Sequence, residues 1–206
     1  MRKIFVDQVD PKTATTLTLG TSGDTISIPS GVTFTQSGTM NASAITAGTL
    51  AVARGGTGAA TFAAAGLSNA PAFLVQKSAA QAIANNTTTK VTFDTEILDT
   101  DNTFASDKFT PGVAGKYQIF AQVGISNMDD AKYNQVLLYK NGSSLNSRPM
   151  TIIVGANTQD SYSRFTYIVD SNDTDYFEVY VRHDNGNSRD LTYYQQTNFG
   201  GMKIIT

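Results

Sequence analysis

Hydrophobic positions along this chain follow two different rhythms, and the change between them falls near residue 70. Beyond it, apolar and polar residues alternate. In Gly115-Lys-Tyr-Gln-Ile-Phe-Ala-Gln-Val-Gly-Ile125, the residues Tyr117, Ile119, Ala121, Val123 and Ile125 fall on one face and Gln118, Phe120 and Gln122 on the other. That alternation predicts a central strand of a half-buried sheet. Tyr133 to Lys140 runs into Asn141-Gly142, a strong two-residue hairpin signal because both residues tolerate positive φ. Further strands are predicted at 73–77, 90–97, 103–111, 150–154, 161–169, 175–182, 191–196 and 199–205, separated by Asn-, Asp- and Gly-rich turns. Many short strands without a helical period predict an all-β sandwich or jelly roll.

Before residue 59 the rhythm is sparser. Large apolar residues come as Leu17/Leu19, Ile26/Ile28, Val32/Phe34, then Met40, Ile45 and Leu50/Val52, and the spacing of two within pairs predicts short strands. Gly20-Thr-Ser-Gly-Asp24, Pro29-Ser-Gly31 and Gly38 supply turns. Of the 54 residues from 13 to 66, 38 are Gly, Ala, Ser or Thr, so a single chain has only a thin stripe to bury and would leave its strand edges unpaired. Three chains wound about one axis would pair those edges, and the small side chains would let the backbones approach. Residues 13–58 are therefore expected to form an extended, β-rich trimeric shaft, with Leu17, Leu19, Ile26, Ile28, Val32 and Phe34 in its core. A disordered low-complexity linker is the competing reading, against which the paired apolar positions count.

Residues 1–12 set Ile4, Phe5, Val6 and Val9 among charged neighbours, a pattern suited to docking on another protein as an added strand. A frayed terminus is the alternative. Residues 59–70 read as a short joint, where the Ala-rich run to Gly66 has room for a turn or two of helix around Phe62. Residues 71–206 form the head: of the 11 Phe and 9 Tyr, all but Phe5, Phe34 and Phe62 lie there, so only this part can build an ordinary core.

Composition narrows the function. Fifteen Lys and Arg against seventeen Asp and Glu give a net charge of −2, without the basic stripe that nucleic-acid binding needs. Cysteine is absent, which removes disulfides, thiolate metal sites and a Cys nucleophile. No stretch approaches the roughly 20 apolar residues of a membrane span. Asp7 interrupts the opening Met-Arg-Lys-Ile-Phe-Val where a signal peptide would continue its apolar run, so neither membrane insertion nor processing is expected.

Two resemblances sharpen this picture. Gly48-Thr-Leu-Ala-Val-Ala-Arg-Gly-Gly-Thr-Gly58 resembles a segment that recurs in bacteriophage tail-fibre and related virion-fibre proteins between a trimeric shaft and a terminal head. In the head, several motifs fall in the order of the complement C1q and tumour-necrosis-factor superfamily. Ala72-Phe73 resembles its opening strand, and Phe104 followed by Phe109-Thr-Pro-Gly-Val-Ala-Gly-Lys-Tyr117 its Phe-Thr-x-Pro-x-x-Gly-x-Tyr signature. Leu138-Tyr-Lys-Asn-Gly142 resembles its Lys-Asn-Gly hairpin, and Phe199-Gly-Gly-Met202 its closing strand. Gly112 after Pro111 and the absence of Trp depart from the common pattern. The resemblance implies a ten-stranded jelly roll trimerised around an aromatic-lined axis. Phe120, Tyr139 and Tyr180 are the candidates for that axis, with ordinary core or exposed sheet as the alternative for each.

Candidate chemistry is thin. His183, the lone histidine, reads as part of an exposed hairpin loop, His-Asp-Asn-Gly-Asn187, without a Gly-x-Ser-x-Gly elbow to accompany it. Asp129/Asp130 offer a carboxylate pair of the kind a glycosidase uses. Asp170-Ser-Asn-Asp-Thr-Asp175 lacks the sixth-position Gly and distal Glu of a calcium loop and reads as a solvated hairpin, and Asp99, Asp101 and Asn102 form a second oxygen cluster. The expectation is a protein with no catalytic, metal or cofactor site. It is expected to be a homotrimeric phage fibre resident in the virion, anchored by its N-terminus to other structural proteins of tail or capsid. Exposed loops near 126–132, 155–160 and 183–190 would meet a host-surface glycan or protein. A bacterial surface adhesion module with a C1q-like head is the alternative, and a small polysaccharide depolymerase a more distant one.

Overall fold

A computed structural model describes residues 21–25, 27–33, 35, 64–65, 68–145, 150–155 and 158–204. The chain divides into two units, Met1–Gly48 and Thr49–Thr206. Among the described residues of the first are two turns. In one, the Asp24 carboxylate accepts the backbone N–H and hydroxyl of Thr21 at 2.7 and 3.0 Å, with Gly23 in the left-handed region. In the other, Val32 N–H donates to the Pro29 carbonyl at 3.2 Å across Gly31. Both turns stand where glycine and proline place them. No described residue between 21 and 35 belongs to a strand, and Ile28 and Val32 are exposed, contrary to the short strands expected there; a ladder needs a partner edge. Leu17, Leu19, Ile26, Phe34, the anchor candidates Ile4, Phe5, Val6 and Val9, and the Gly48–Gly58 run lie outside the described residues.

The second unit is all β among its described residues. Its strands are β1 (Ala72–Lys77), β2 (Ala82–Ile83), β3 (Thr89–Lys90), β4 (Thr95–Asp99), β5 (Phe104–Ala105), β6 (Lys108–Phe109) and β7 (Gly115–Met128). They continue as β8 (Tyr133–Lys140), β9 (Ser143–Ser144), β10 (Met150–Ile153), β11 (Gln159–Ser171), β12 (Phe177–His183), β13 (Arg189–Asp190) and β14 (Tyr194–Ile204). One sheet runs β11-β7-β14-β1-β4. The other runs β10-β8-β12-β6-β5, with β3 also on β12 and β9 on β8, while β13 and β2 form a small ribbon. The chain changes sheet at almost every step: β1 is in the first, β6 in the second, β7 in the first, β8 and β10 in the second, β11 in the first, β12 in the second and β14 in the first. This winding makes a jelly-roll sandwich.

Alternation dictates which side chains face inward. Tyr117, Ile119, Ala121, Val123 and Ile125 of β7 meet Val136 and Leu138 of β8 and Phe177, Val179 and Val181 of β12 in one buried core. A run of aromatics fills one region of it. Phe73 stacks on Phe109 with ring centroids 4.1 Å apart and meets Phe199 edge-on at 4.8 Å, and Phe104 and Phe93 extend the cluster. The buried Tyr117 hydroxyl donates to the Val113 carbonyl at 2.6 Å, tying the chain that enters β7 back onto its own strand.

Two predicted strands divide. The run 90–97 passes from β3 in the second sheet to β4 in the first, and Val91 and Phe93 drop into the core during the crossing. Residues 103–111 fold into the β5–β6 hairpin, turned at Ser106 and Asp107, both with positive φ. At the β8–β9 hairpin, Asn141 and Gly142 take the left-handed φ values of 52° and 75° that their sequence promised.

That hairpin is locked to the turn before β12. The Asp175 carboxylate accepts Lys140 Nζ at 2.7 Å, Asn141 Nδ2 at 2.7 Å and Asn172 N–H at 2.8 Å. The Lys140 hydrogen bond leads these effects, which hold the Asp175 carboxyl down at about 2, below its ordinary 3.8. A carboxyl lowered by folding stabilises the fold above its unfolded pKa and loses that contribution as pH falls through the folded value. Asp175→Asn is therefore expected to lower the urea midpoint at neutral pH, with the gap to wild type closing between pH 4 and 2. A gap that persists unchanged at pH 2 would contradict this.

Candidate functional site

The residues of the first sheet that do not face the core form its outer surface, and there the pattern departs from the usual polar exterior of a sandwich. Registers place Thr166 of β11 opposite Phe120 of β7, Phe120 opposite Gly200 of β14, Gly200 opposite Leu74 of β1, and Leu74 opposite Leu98 of β4. One step along, Ile168 lies opposite Gln118, Gln118 opposite Met202, and Met202 opposite Ala72. An apolar band thus crosses all five strands, with Ile168 69 %, Leu98 47 % and Met202 38 % exposed. Polar groups rim it: the Lys116–Asp170 ion pair at 2.6 Å on one side, and Gln122, Arg164 and Asn198 on the other.

Phe120 lies over Gly200. A Cβ built on Gly200 would stand 2.5 Å from Phe120 Cζ and 2.9 Å from Cε2, so the absence of a side chain at 200 seats the ring against the sheet. The ring is half-buried and stands at the middle of the band.

Tyr139 and Tyr180 do not join Phe120. Both project from the outer side of the second sheet, on β8 and β12, and pack on each other at 4.0 Å between centroids. Beside them Lys90 and Glu178 form an ion pair at 2.8 Å. Burial, followed by the Glu178 charge, pushes the Tyr180 hydroxyl above the ordinary tyrosine range. The three candidates for one aromatic axis therefore stand on opposite faces of the sandwich. Parity within a strand separates its two faces, but the sheet each strand joins decides which of those faces can meet.

His183 also corrects expectation. It ends β12 with no exposed surface, sharing Nε2 with the Ile83 carbonyl at 3.0 Å and accepting Asn185 N–H on Nδ1 at 3.2 Å, so Nε2 carries the proton. Asn185 is buried as well, and Met128 seals the same end from β7, so the stretches 126–132 and 183–190 are only partly available to a partner. Asp129 is committed to structure: it accepts Asn185 Nδ2 at 2.9 Å, Arg189 Nη2 at 3.0 Å and the Thr158 hydroxyl at 3.3 Å. Burial pushes its carboxyl up, but these hydrogen bonds and the Arg189 charge outweigh it and hold the group below its ordinary value.

Asp99 likewise staples its own loop, accepting the N–H groups of Thr103 at 2.9 Å and Phe104 at 2.8 Å. Asp175 is engaged in the β8–β12 lock described above. Among the described residues, no group of three or more His, Cys, Asp or Glu is placed to hold a metal ion. No helix among them is long and apolar enough to cross a membrane. Sequence reasoning placed residues 191–196 in a strand. Of these, residues 194–196 open β14, whereas Leu191 makes a single bridge to Ile125 and Thr192 and Tyr193 lie in no strand, and residues 190–196 line a cleft of about 530 Å³.

No protein-family model matches this chain, and no curated protein does either. Among solved structures, the globular domain of zebrafish complement 1qA protein is similar at 15% identity with a TM-score of 0.43, over 65% of this chain and 97% of that chain. The sandwich itself stands on the strand order and registers described above.

The Phe120–Gly200 contact makes a quantitative expectation. Gly200→Ala should displace the ring and cost about 1 kcal/mol in chemical unfolding. In a Phe120→Ala background the same change should become neutral, or stabilising by a few tenths of a kcal/mol, because alanine suits a strand better than glycine. Additive effects of the two substitutions would show that the ring and the glycine are uncoupled.

Proposed function

We propose that this chain is a structural fibre protein of a bacteriophage virion. In this reading it is a homotrimer, attached through residues 1–12 to tail or capsid and carrying its β sandwich outward on the 13–58 shaft for host-surface binding. The observation that carries it is the apolar band across the outer face of the first sheet. Monomers in water rarely keep a contiguous surface of this kind uncovered, and copies of the chain arranged about an axis would cover it. The sequence supports the same arrangement from the other end: a thread too poor in large side chains to hold itself together precedes a joint that resembles those of virion fibres.

Phe120, at the centre of the band, is the axis residue of this reading, whereas Tyr139 and Tyr180 on the opposite sheet belong to the outward surface. The role is one of binding and display rather than catalysis: Asp129 and His183, which could have served chemistry, are spent on holding the loops at one end of the sandwich. Particles purified from the phage that encodes this chain should bind gold-labelled antibody raised against it, and a variant lacking residues 1–12 should fold yet fail to appear on them. Label confined to the bacterial surface would favour the adhesion module, and incorporation of the truncated chain would remove the anchoring role.

A further inference from the structure

The cleft beside β14 has the ingredients of a sugar site. Its floor is pinned: Leu191 N–H donates to the Gln81 carbonyl and Thr192 N–H to the Gly124 carbonyl, each at 2.9 Å, and the Thr197 hydroxyl accepts Gly124 N–H at 3.2 Å. Between those anchors the pairing of β14 with β1 slips. Gln76 pairs with Asn198 while the adjacent Lys77 pairs with Tyr194, so the three residues between form a bulge that turns Gln195 and Gln196 outward while Thr197 stays buried. Tyr194 takes a φ of 57°, a conformation bulky residues rarely adopt.

The result is a rigid base presenting two tyrosines, 45 % and 59 % exposed, with rings 5.1 Å apart at 67°. Carboxylates and amides surround them. Asp160 accepts Asn127 N–H at 3.1 Å through one oxygen, leaving the other with only a long 3.4 Å contact from Tyr162. Among the described residues, the Asp190 carboxylate and the Gln195 and Gln196 side-chain amides have no intramolecular partner, yet all of them line the same cleft.

The geometry points to a binding site for a neutral pyranose of a host-surface glycan. A sugar ring has an apolar face of C–H groups that an exposed tyrosine can cover, and an equatorial fringe of hydroxyls that carboxylate and amide oxygens accept and amide N–H groups donate to. The cleft holds each kind of group in one place. Its two carboxylates disfavour acidic sugars, since a second negative charge beside them would be repelled. A single open cleft binds such a ring weakly, with a dissociation constant on the order of 1 mM. Three copies on one fibre would supply the rest through avidity. The inference deepens the fibre reading and rests on it for its biological use, but the binding itself requires only the folded head.

The test is saturation-transfer NMR on the full chain with methyl glycosides of glucose, galactose and mannose, N-acetylglucosamine, and the acidic sugar N-acetylneuraminic acid. At least one neutral sugar should receive saturation and the acidic one should not. Tyr194→Gly removes a ring while easing its left-handed backbone, so the variant should fold as well as wild type and bind at least about tenfold more weakly. Asp190→Asn, at an exposed position, should weaken binding similarly. Absence of transfer from every neutral sugar, transfer from N-acetylneuraminic acid alone, or binding indifferent to both substitutions would overturn the proposal. Any of these would leave particle attachment and oligomeric state, which are read separately, untouched.

Discussion

A strand can offer only every second side chain to a core, and that constraint organises this head. The two sheets spend their inward set, from Phe73 and Tyr117 to Phe177 and Phe199, on one another. Everything left points outward, and on the first sheet what is left includes an apolar set, Leu74, Leu98, Phe120, Ile168 and Met202, gathered into one band by the registers of β11, β7, β14, β1 and β4. Glycine at 200 flattens that band by letting the Phe120 ring lie on the backbone. The proposed assembly follows from surplus burial capacity on a sheet that has already filled its own core.

Polar groups serve the turns. Asp24, Asp99, Asp129 and Asp175 each accept hydrogen bonds from several donors within reach, and Asn141 both accepts Tyr176 N–H and donates to Asp175. A chain with many short strands must reverse often, and carboxylates and amides satisfy the backbone N–H groups that reversals strand. The wealth of Asp and Asn that suggests carboxylate chemistry or a calcium loop is thus largely the requirement of the jelly roll itself. Where polar side chains have no partner among the described residues, as at Asp190, Gln195 and Gln196 in one cleft, another use becomes the more economical explanation.

Much of this was legible from the residues alone. The alternation in β7 and the Asn141-Gly142 turn are local signals, and both elements form where the pattern puts them. Properties that depend on long-range pairing were not. Nothing local separates the sheet of Phe120 from that of Tyr139 and Tyr180, because parity assigns a side chain to one side of its own strand and says nothing of which sheet that strand enters. The 90–97 run reads as one strand because Val91 and Phe93 keep the alternation while the chain changes sheets. His183 sits beside Asp184 and Asn185 in a sequence fit for a loop, and its burial arises from the Ile83 carbonyl, a hundred residues away. The bulge before Asn198 has no signature, since Tyr193 and Tyr194 are good strand formers by propensity.

The central claim is that the band around Phe120 is where copies of this chain meet. Sedimentation velocity on the full chain and on Phe120→Glu at micromolar concentration addresses it most directly, with circular dichroism confirming that both fold. The account expects three copies for the native sequence and one for the variant, because a carboxylate at the centre of a buried apolar contact cannot be paired there. A well-folded single-copy native protein, or a variant that still sediments as three, would contradict it.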